Sequence, residues 1–276
     1  MTAAATETMA FTGVSKAKSP TWRPPRDFAF ARHIPQVPLS DSELLLTSHY
    51  LPIAINYLAD GPRVVAILDA QFHRTPVINA SGQWQKGYMP VALRSLPFRL
   101  APGPDGEMQV EIAGKLDADD EPGLPVLRAD GSLSPKVANI TALLRRLETG
   151  KQALRKAAEI LLIADVLTPL KMAKLADAAA NDGRYLIVDR NKFAALSNSR
   201  VAHLMKGGFL AVDLATACIF SQRLIPTLVA VAAPPGKRAD RPAQSGLDEL
   251  APALSFNVQI DHGELFSFER FDEMCR

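Results

Sequence analysis

The stretch Asn79–Phe98, NASGQWQKGYMPVALRSLPF, decides how the rest of this chain is expected to fold. It combines a glycine turn, a tryptophan, a tyrosine, two prolines and an arginine in a short space. Gly82 can supply the positive φ that a tight turn needs, and Met89 precedes a proline, which favours an extended backbone. Residues 91–96 predict one or two helical turns, which Pro97 ends. The stretch therefore predicts a junction between a sheet and helices.

Short apolar runs on both sides of this stretch predict antiparallel strands. Val64–Leu68 has the continuous apolar character of a buried strand. The turn signal at residues 59–62 would let it pair, as a hairpin, with the run that leads in from Pro52. Downstream, residues 99–101 and 108–112 flank a second turn. Apolar and polar residues alternate in the latter run, which indicates a half-exposed strand.

The second half of the chain predicts mainly helices. Apolar residues recur at helical spacing from Ile140 to Leu162. Gly150 interrupts the pattern at a cost of about 1 kcal/mol relative to Ala, so one helix or two are compatible with it. Propensity favours helix for residues 170–180, LKMAKLADAAA. A strand is expected at Tyr185–Val188, and helices at 192–196, 199–206 and 209–220. The fold class predicted is α+β, with a largely antiparallel, twisted sheet in the N-terminal half and helices packed on it from about residue 136.

Composition shifts divide the chain into three parts. Residues 1–40 form a proline-rich, extended arm that also carries Trp22, Phe28 and Phe30. This arm either packs along its own domain or reaches a second subunit, which would make the protein a homo-oligomer. Residues 41–233 form the main domain. Residues 234–276 begin with a charged linker, PPGKRADRPAQSG, and end in a hairpin that the alternation of Phe256 and Val258 indicates.

Bulk properties exclude several function classes. Lys plus Arg number 31 and Asp plus Glu 29, a balance that lacks the basic block or stripe typical of nucleic-acid-binding proteins. The first twenty residues lack the apolar core of a secretory signal. The most apolar stretch, 209–233, is broken by polar residues and a proline, so no membrane span is predicted. We therefore expect a soluble, cytoplasmic protein that binds no nucleic acid.

Motifs for metal or cofactor chemistry are missing from the sequence. The five histidines do not pair at metal-ligand spacing. The acidic run in residues 117–122 lacks the pattern of a twelve-residue calcium loop. There is no phosphate-binding glycine loop and no nucleophile elbow. Cys218 lies in an apolar run and is expected to be a buried thiol. We predict no metal and no cofactor.

Five residues are the candidate ligand-binding site. Trp, Tyr and Arg are the residue types that dominate binding hot spots, and the side chains in question could line a shallow pocket: His49, Tyr50, Trp84, Tyr88 and Arg94. A structural role explains the same residues. Trp84 and Tyr88 would then pack on the sheet, and Arg94 would satisfy backbone carbonyls or an acidic partner.

The sequence resembles the SapC family over roughly residues 45–228. The resemblance rests on the segments His49–Ile53, Gly82–Trp84, Gly87–Pro90, Leu93-Arg94, Pro97-Phe98, Gly123–Pro125, Asp130-Gly131, Leu167–Leu170 and Tyr185–Asp189, followed by Leu196, Leu204 and Gly208. Two features depart from the family pattern. Family members usually have an extended segment where residues 170–180 stand, which favours a strand there, and they commonly carry an Ala-His pair near Ala215-Thr216.

The resemblance implies a link with the transport or export of surface-layer proteins and supplies no catalytic residue. We expect a non-catalytic binding or accessory protein that recognises a peptide or protein. The alternative is an enzyme acting on a peptide or its modification. That alternative predicts a deep polar pocket with an ionisable residue of perturbed pKa.

Overall fold

A computed structural model describes residues 11–14, 21–103, 105–113, 123–171 and 184–226. The chain divides into two compact units, Met1–Val231 and Ala232–Arg276. The described residues all belong to the first unit. The acidic run, nearly all of residues 170–180, the charged linker and the C-terminal hairpin lie outside the described residues.

The described residues form ten strands and six α-helices. The strands are β1 (Phe11–Gly13), β2 (Thr21–Trp22), β3 (Gln36–Pro38), β4 (Ile53–Leu58), β5 (Gly61–Ile67), β6 (Phe98–Pro102), β7 (Met108–Ala113), β8 (Leu124–Pro125), β9 (Leu167–Pro169) and β10 (Tyr185–Val188). The helices are α1 (Leu44–Ser48), α2 (Val91–Arg94), α3 (Pro135–Ile163), α4 (Arg190–Ala194), α5 (Asn198–Met205) and α6 (Leu210–Ser221).

The main sheet has five antiparallel strands in the order β3-β5-β4-β10-β9. Its centre is the predicted hairpin, in which Ile53 pairs with Ala66 and Leu58 pairs with Gly61. The prediction of an α+β fold with antiparallel sheets is confirmed. β9 and β10 come from the chain beyond α3, so this sheet also draws on the second half of the sequence.

A second sheet has the order β1-β7-β6 and contains the other predicted hairpin, β6–β7. A two-stranded pair, β2–β8, lies in the same core region. There the edge of the Trp22 ring packs on Phe98, with ring centroids 5.1 Å apart. Phe28 and Phe30 pack against the core of the main sheet. The described part of the proline-rich arm thus packs along its own domain, and a contact with a second subunit stays a prediction.

α3 is one continuous helix of 29 residues, about 43 Å long. Its first half buries Val137, Leu144 and Leu147 in the core of the second sheet. Its second half buries apolar residues, from Leu154 to Leu161, in the core of the main sheet. The helix therefore contributes to both cores. The burial of its apolar side chains in the two cores outweighs the small propensity cost at Gly150.

Gly150 is in α3 because another segment crosses the helix at close range. A Cβ atom at this position would lie 2.1 Å from Ser40 Oγ and 2.9 Å from the backbone nitrogen of Asp41. Both distances are shorter than van der Waals contact allows. Gly150 interrupts the helical pattern of the sequence, and in the fold it leaves room for the turn at Ser40–Glu43 to contact the helix.

The helices that follow β10 begin and end within about two residues of their expected positions. Asp189 caps α4 by accepting hydrogen bonds from the backbone nitrogens of Asn191 at 2.8 Å and Lys192 at 3.1 Å. α6 is largely buried, and burial raises the pKa of the Cys218 thiol to about 12. The expectation of a buried thiol is confirmed.

No single helix within the described ranges is long and apolar enough to cross a membrane. α5 and the segment Leu210–Leu224 reach the necessary length and composition only together, and a bend of 108° separates them.

Candidate functional site

The site is built around Glu43, a carboxylate that is only 3% exposed. Ser40 and Glu43 have the S-x-x-E spacing of a capping box. The backbone nitrogen of Ser40 donates to Glu43 Oε1 at 3.0 Å. This local bond turns the Glu43 side chain inward at the start of α1.

The second carboxylate oxygen of Glu43 binds the block that contains α2. Glu43 Oε2 accepts hydrogen bonds from the Tyr88 hydroxyl at 2.8 Å and from the backbone nitrogen of Val91 at 2.9 Å. Arg94 donates to the Tyr88 hydroxyl at 3.3 Å, and its guanidinium carbon lies 5.4 Å from the centre of the Tyr88 ring. Burying a carboxylate is tolerated where donors replace the lost water, and three donors do so here.

Burial raises the pKa of Tyr88 above its ordinary value, and the Glu43 charge and hydrogen bond raise it further. The neighbouring Arg94 acts in the opposite direction. Tyr88 therefore keeps its proton at physiological pH and donates it to Glu43. This hydroxyl is a structural donor, already engaged within the chain.

Trp84 supports the same block from the other side. Its indole nitrogen donates to the carbonyl oxygen of Tyr88 at 3.0 Å. Its ring meets Phe28 edge-on, with centroids 6.4 Å apart, and it packs partly buried against the main core. Trp84, Tyr88 and Arg94 therefore form one connected unit, whose contacts lie within the chain.

His49 and Tyr50, at the end of α1, meet a different partner. The His49 ring packs edge-on against Phe220 of α6, with centroids 4.9 Å apart. The Arg223 guanidinium carbon lies 3.7 Å from the centre of the Phe220 ring, and Arg223 donates to the His49 carbonyl at 3.5 Å. Tyr50 covers Gly87, where a Cβ atom would lie 2.6 Å from Tyr50 Cε1. That close approach joins the two groups of candidate residues.

α1 and α6 pack against each other, and exposed apolar side chains lie on or next to both helices. We call this area the α1–α6 surface, and its members are Leu45, Leu46, His49, Tyr50, Phe220 and Arg223. The exposed fractions are 56% for Leu45, 43% for Leu46, 37% for Tyr50 and 40% for Phe220. Beneath it, Ser221 Oγ accepts from the backbone nitrogen of Ile53 at 3.0 Å and donates to the Cys218 carbonyl at 3.0 Å. The surface therefore stands on a fixed support.

The structure brings the five predicted residues into two adjoining groups. His49 and Tyr50 belong to the α1–α6 surface, whereas Trp84 and Arg94 bond to Tyr88, which in turn donates to Glu43. A cavity of about 240 Å³ lies instead between β5 and α3, and one of about 200 Å³ lies beside α5; none of the five residues lines either.

Sequence reasoning missed Glu43. It treated Phe220 only as part of an apolar run and Arg223 only as a polar break in that run. The capping-box spacing was a usable signal for Glu43. Phe220 and Arg223 are recognised only through their tertiary contacts with His49, which local sequence patterns do not show.

Titratable groups elsewhere in the described ranges include ion pairs, such as Arg99 with Glu111 at 2.7 Å. No group of three or more His, Cys, Asp or Glu side chains there is placed to hold a metal ion. His73 is buried, and its Nε2 donates to the Ile67 carbonyl at 2.9 Å. Desolvation lowers the pKa of His73 to about 4, and the Lys86 charge contributes in the same direction. His73 is therefore a neutral, structural histidine at physiological pH.

Comparison with known proteins gives one positive result. The comparisons with curated proteins and with solved structures found no match. The family model SapC matches residues 15–228, which includes both groups of candidate residues and part of the proline-rich arm. This match covers well over half of the chain, so the chain belongs to the SapC family.

Proposed function

We propose that this protein is a non-catalytic binding or accessory protein that recognises a peptide or protein segment through the α1–α6 surface. The observation that carries the proposal is the exposure of four large apolar side chains on or next to two packed helices. Exposed apolar patches commonly mark interaction sites. Two members of the surface, Tyr50 and Arg223, belong to the residue types enriched in binding hot spots.

The support beneath the surface favours binding because it reduces the ordering that a ligand must induce. α1 is held by the Glu43 hydrogen bonds, and α6 is held by Ser221. The Phe220 ring is fixed between His49 and Arg223. A preorganised surface loses less side-chain entropy on association. An apolar ligand side chain would pack on Leu46 and Phe220, and a ligand carboxylate would pair with Arg223.

The cellular role that we propose follows from the family. Resemblance to SapC proteins implies a link with the transport or export of surface-layer proteins. A segment of such a protein is the ligand class that the proposal favours, and the cytoplasm is the compartment in which it would be bound.

The proposal is tested by selecting peptides from a random displayed library on the purified full chain. Selected peptides are expected to share an apolar anchor with a nearby acidic residue or a free carboxylate. Their affinity, measured by isothermal titration calorimetry, should fall at least about tenfold in Leu46→Glu, because a hot-spot contact is replaced by a desolvated charge.

Tyr57→Ser is the matched control, because Tyr57 is 60% exposed and lies on β4, away from the α1–α6 surface. It should leave the affinity unchanged. Recovery of no binding peptide, or equal losses in Leu46→Glu and Tyr57→Ser, would overturn the proposal.

A further inference from the structure

α5 is a helix that the rest of the domain leaves almost bare. Of its eight residues, from Asn198 to Met205, only Leu204 is buried. Helices of globular proteins normally bury an apolar stripe of three to four residues per two turns. The Gly207-Gly208 turn follows, with Gly208 at φ 103°, and the chain bends by 108° into the next helix. α5 is therefore held at one buried leucine and presents its other sides to the surroundings.

Residues 190–212, which include α5, are cationic, and they lie between Asp189 and Asp213. Between Arg190 and Val212 there are four cationic residues and His203, and no Asp or Glu. Lys192 pairs with Asp165 at 3.2 Å. Arg200 and Lys206 are exposed, and they stand on or next to α5. This segment has a positive field although the whole chain is nearly neutral.

Exposed apolar side chains lie beside these cations. Val201 and Met205 are four residues apart and share one side of α5, with exposed fractions of 36% and 40%. Phe209, just past the glycine turn, is 69% exposed, and Ile163, at the end of α3, is 74% exposed. Ile163 lines the same cavity as Arg200 and His203. Arg200 and Lys206 therefore flank Val201 and Met205 in sequence, whereas Ile163 lies on the other side of α5, beside His203.

We propose that the side of α5 that carries Val201 and Met205, with its flanking cations and the following turn, docks on an anionic lipid membrane; we call it the α5 surface (Arg200, Val201, Met205, Lys206 and Phe209). Phe209, Met205 and Val201 would enter the boundary between headgroups and acyl chains. Arg200 and Lys206 would contact the lipid phosphates. Interfacial helices combine these two features, and each cation near an anionic bilayer adds to the attraction.

A lipid surface fits the α5 surface better than an acidic protein does, because the apolar side chains project from a short, prominent helix and a turn. A bilayer accepts such projecting groups without a shaped cavity. An acidic protein would need a complementary groove. The docking is peripheral and independent of the peptide-binding function proposed above.

The test is co-sedimentation of the full chain with vesicles of phosphatidylcholine alone and with vesicles that also contain phosphatidylglycerol. Binding is expected only to the anionic vesicles and should weaken as salt is raised, because ions screen exposed charges. The double variant Arg200→Glu/Lys206→Glu should lower the partition coefficient at least about tenfold. Phe209→Ser should lower it about fivefold through lost apolar burial, even at low salt.

The control is Arg145→Glu/Arg146→Glu, which makes the same change in net charge on the exposed side of α3. It should retain binding within about twofold. Thermal unfolding of each variant confirms that the comparison is made on folded protein.

Three results would overturn the inference: no sedimentation with anionic vesicles, equal binding to neutral and anionic vesicles, or an equal fall of the partition coefficient in the two double variants. Peptide affinity measured on the same variants should not change. A failure of the membrane-docking inference is therefore distinguishable from a failure of the peptide-binding proposal.

Discussion

At the scale of single residues, Glu43 has the largest effect on how the site is arranged. A buried carboxylate without partners is strongly destabilising. Here it accepts from Ser40, Tyr88 and Val91, so its charge is met by donors from two parts of the chain. This explains why a tyrosine is needed at position 88, since phenylalanine would pack there but would leave a buried oxygen with fewer partners.

His73 gives a prediction about pH at the same scale. Its folded-state pKa is about 4 and its ordinary value is 6.5. The unfolded chain therefore binds more protons between these values. The contribution of His73 to stability is fully present above pH 6.5 and is lost as the pH falls towards 4. The shift corresponds to about 3 kcal/mol.

The measurement is the free energy of unfolding in urea at several pH values, for the wild type and for His73→Gln, which does not titrate and keeps a donor near the Ile67 carbonyl. The difference between the two proteins should change by about 3 kcal/mol between pH 7 and pH 4. A difference that stays constant with pH would show that His73 is not the titrating group.

Some residue roles could be predicted from local sequence and others could not. Cys218 lies in an apolar run, so its burial followed from composition. The Asp189 cap followed from the strand and helix patterns on either side. Glu43 has a local signal in its spacing from Ser40, but its bonds to Tyr88 and Val91 cross more than forty residues of chain. Such contacts depend on tertiary packing, which local patterns do not encode.

At the scale of secondary-structure elements, α3 shows how packing overrides propensity. Gly150 would weaken an isolated helix by about 1 kcal/mol. In the folded chain the missing side chain lets the Ser40–Glu43 turn cross the helix. The turn that crosses there also holds Glu43, so the glycine in α3 and the carboxylate at α1 belong to one packing arrangement.

Gly150→Ala tests this arrangement. Propensity alone predicts that alanine stabilises the helix by about 1 kcal/mol. The clash with Ser40 and the Asp41 backbone predicts the opposite sign, a loss of about 2 kcal/mol in the free energy of unfolding. The control is Thr149→Ala, at the neighbouring exposed position, which should stabilise by about 0.5 kcal/mol. Stabilisation by both substitutions would refute the close crossing.

Hairpins were predictable because their turns are local in sequence. The turn before β5 and the turn between β6 and β7 carry glycine and proline signals, and both hairpins form. The pairing of β10 with β4 joins segments about 130 residues apart. Nothing in the Tyr185–Val188 pattern specifies that partner, which is why the sheet was expected to be confined to the first half of the chain.

At the scale of the whole molecule, α3 connects two cores. The block Asn79–Phe98 joins β6 to the Glu43 turn, as the sequence predicted for a junction between sheet and helices. Its aromatic residues are used for support. In our proposal the exposed residues of α1 and α6 bind a peptide, and the exposed residues of α5 bind a membrane.

We propose that the α1–α6 surface binds the peptide and that Glu43 and Tyr88 support this surface without contacting the peptide. The most direct test compares Phe220→Ser with Tyr88→Phe, using one selected peptide, calorimetry for affinity and urea unfolding for stability. We predict that Phe220→Ser raises the dissociation constant at least about tenfold and changes the free energy of unfolding by less than about 1 kcal/mol. Tyr88→Phe should lower the free energy of unfolding by about 2 kcal/mol and leave the dissociation constant within about twofold. The reverse pattern, with affinity lost in Tyr88→Phe and kept in Phe220→Ser, would contradict the account.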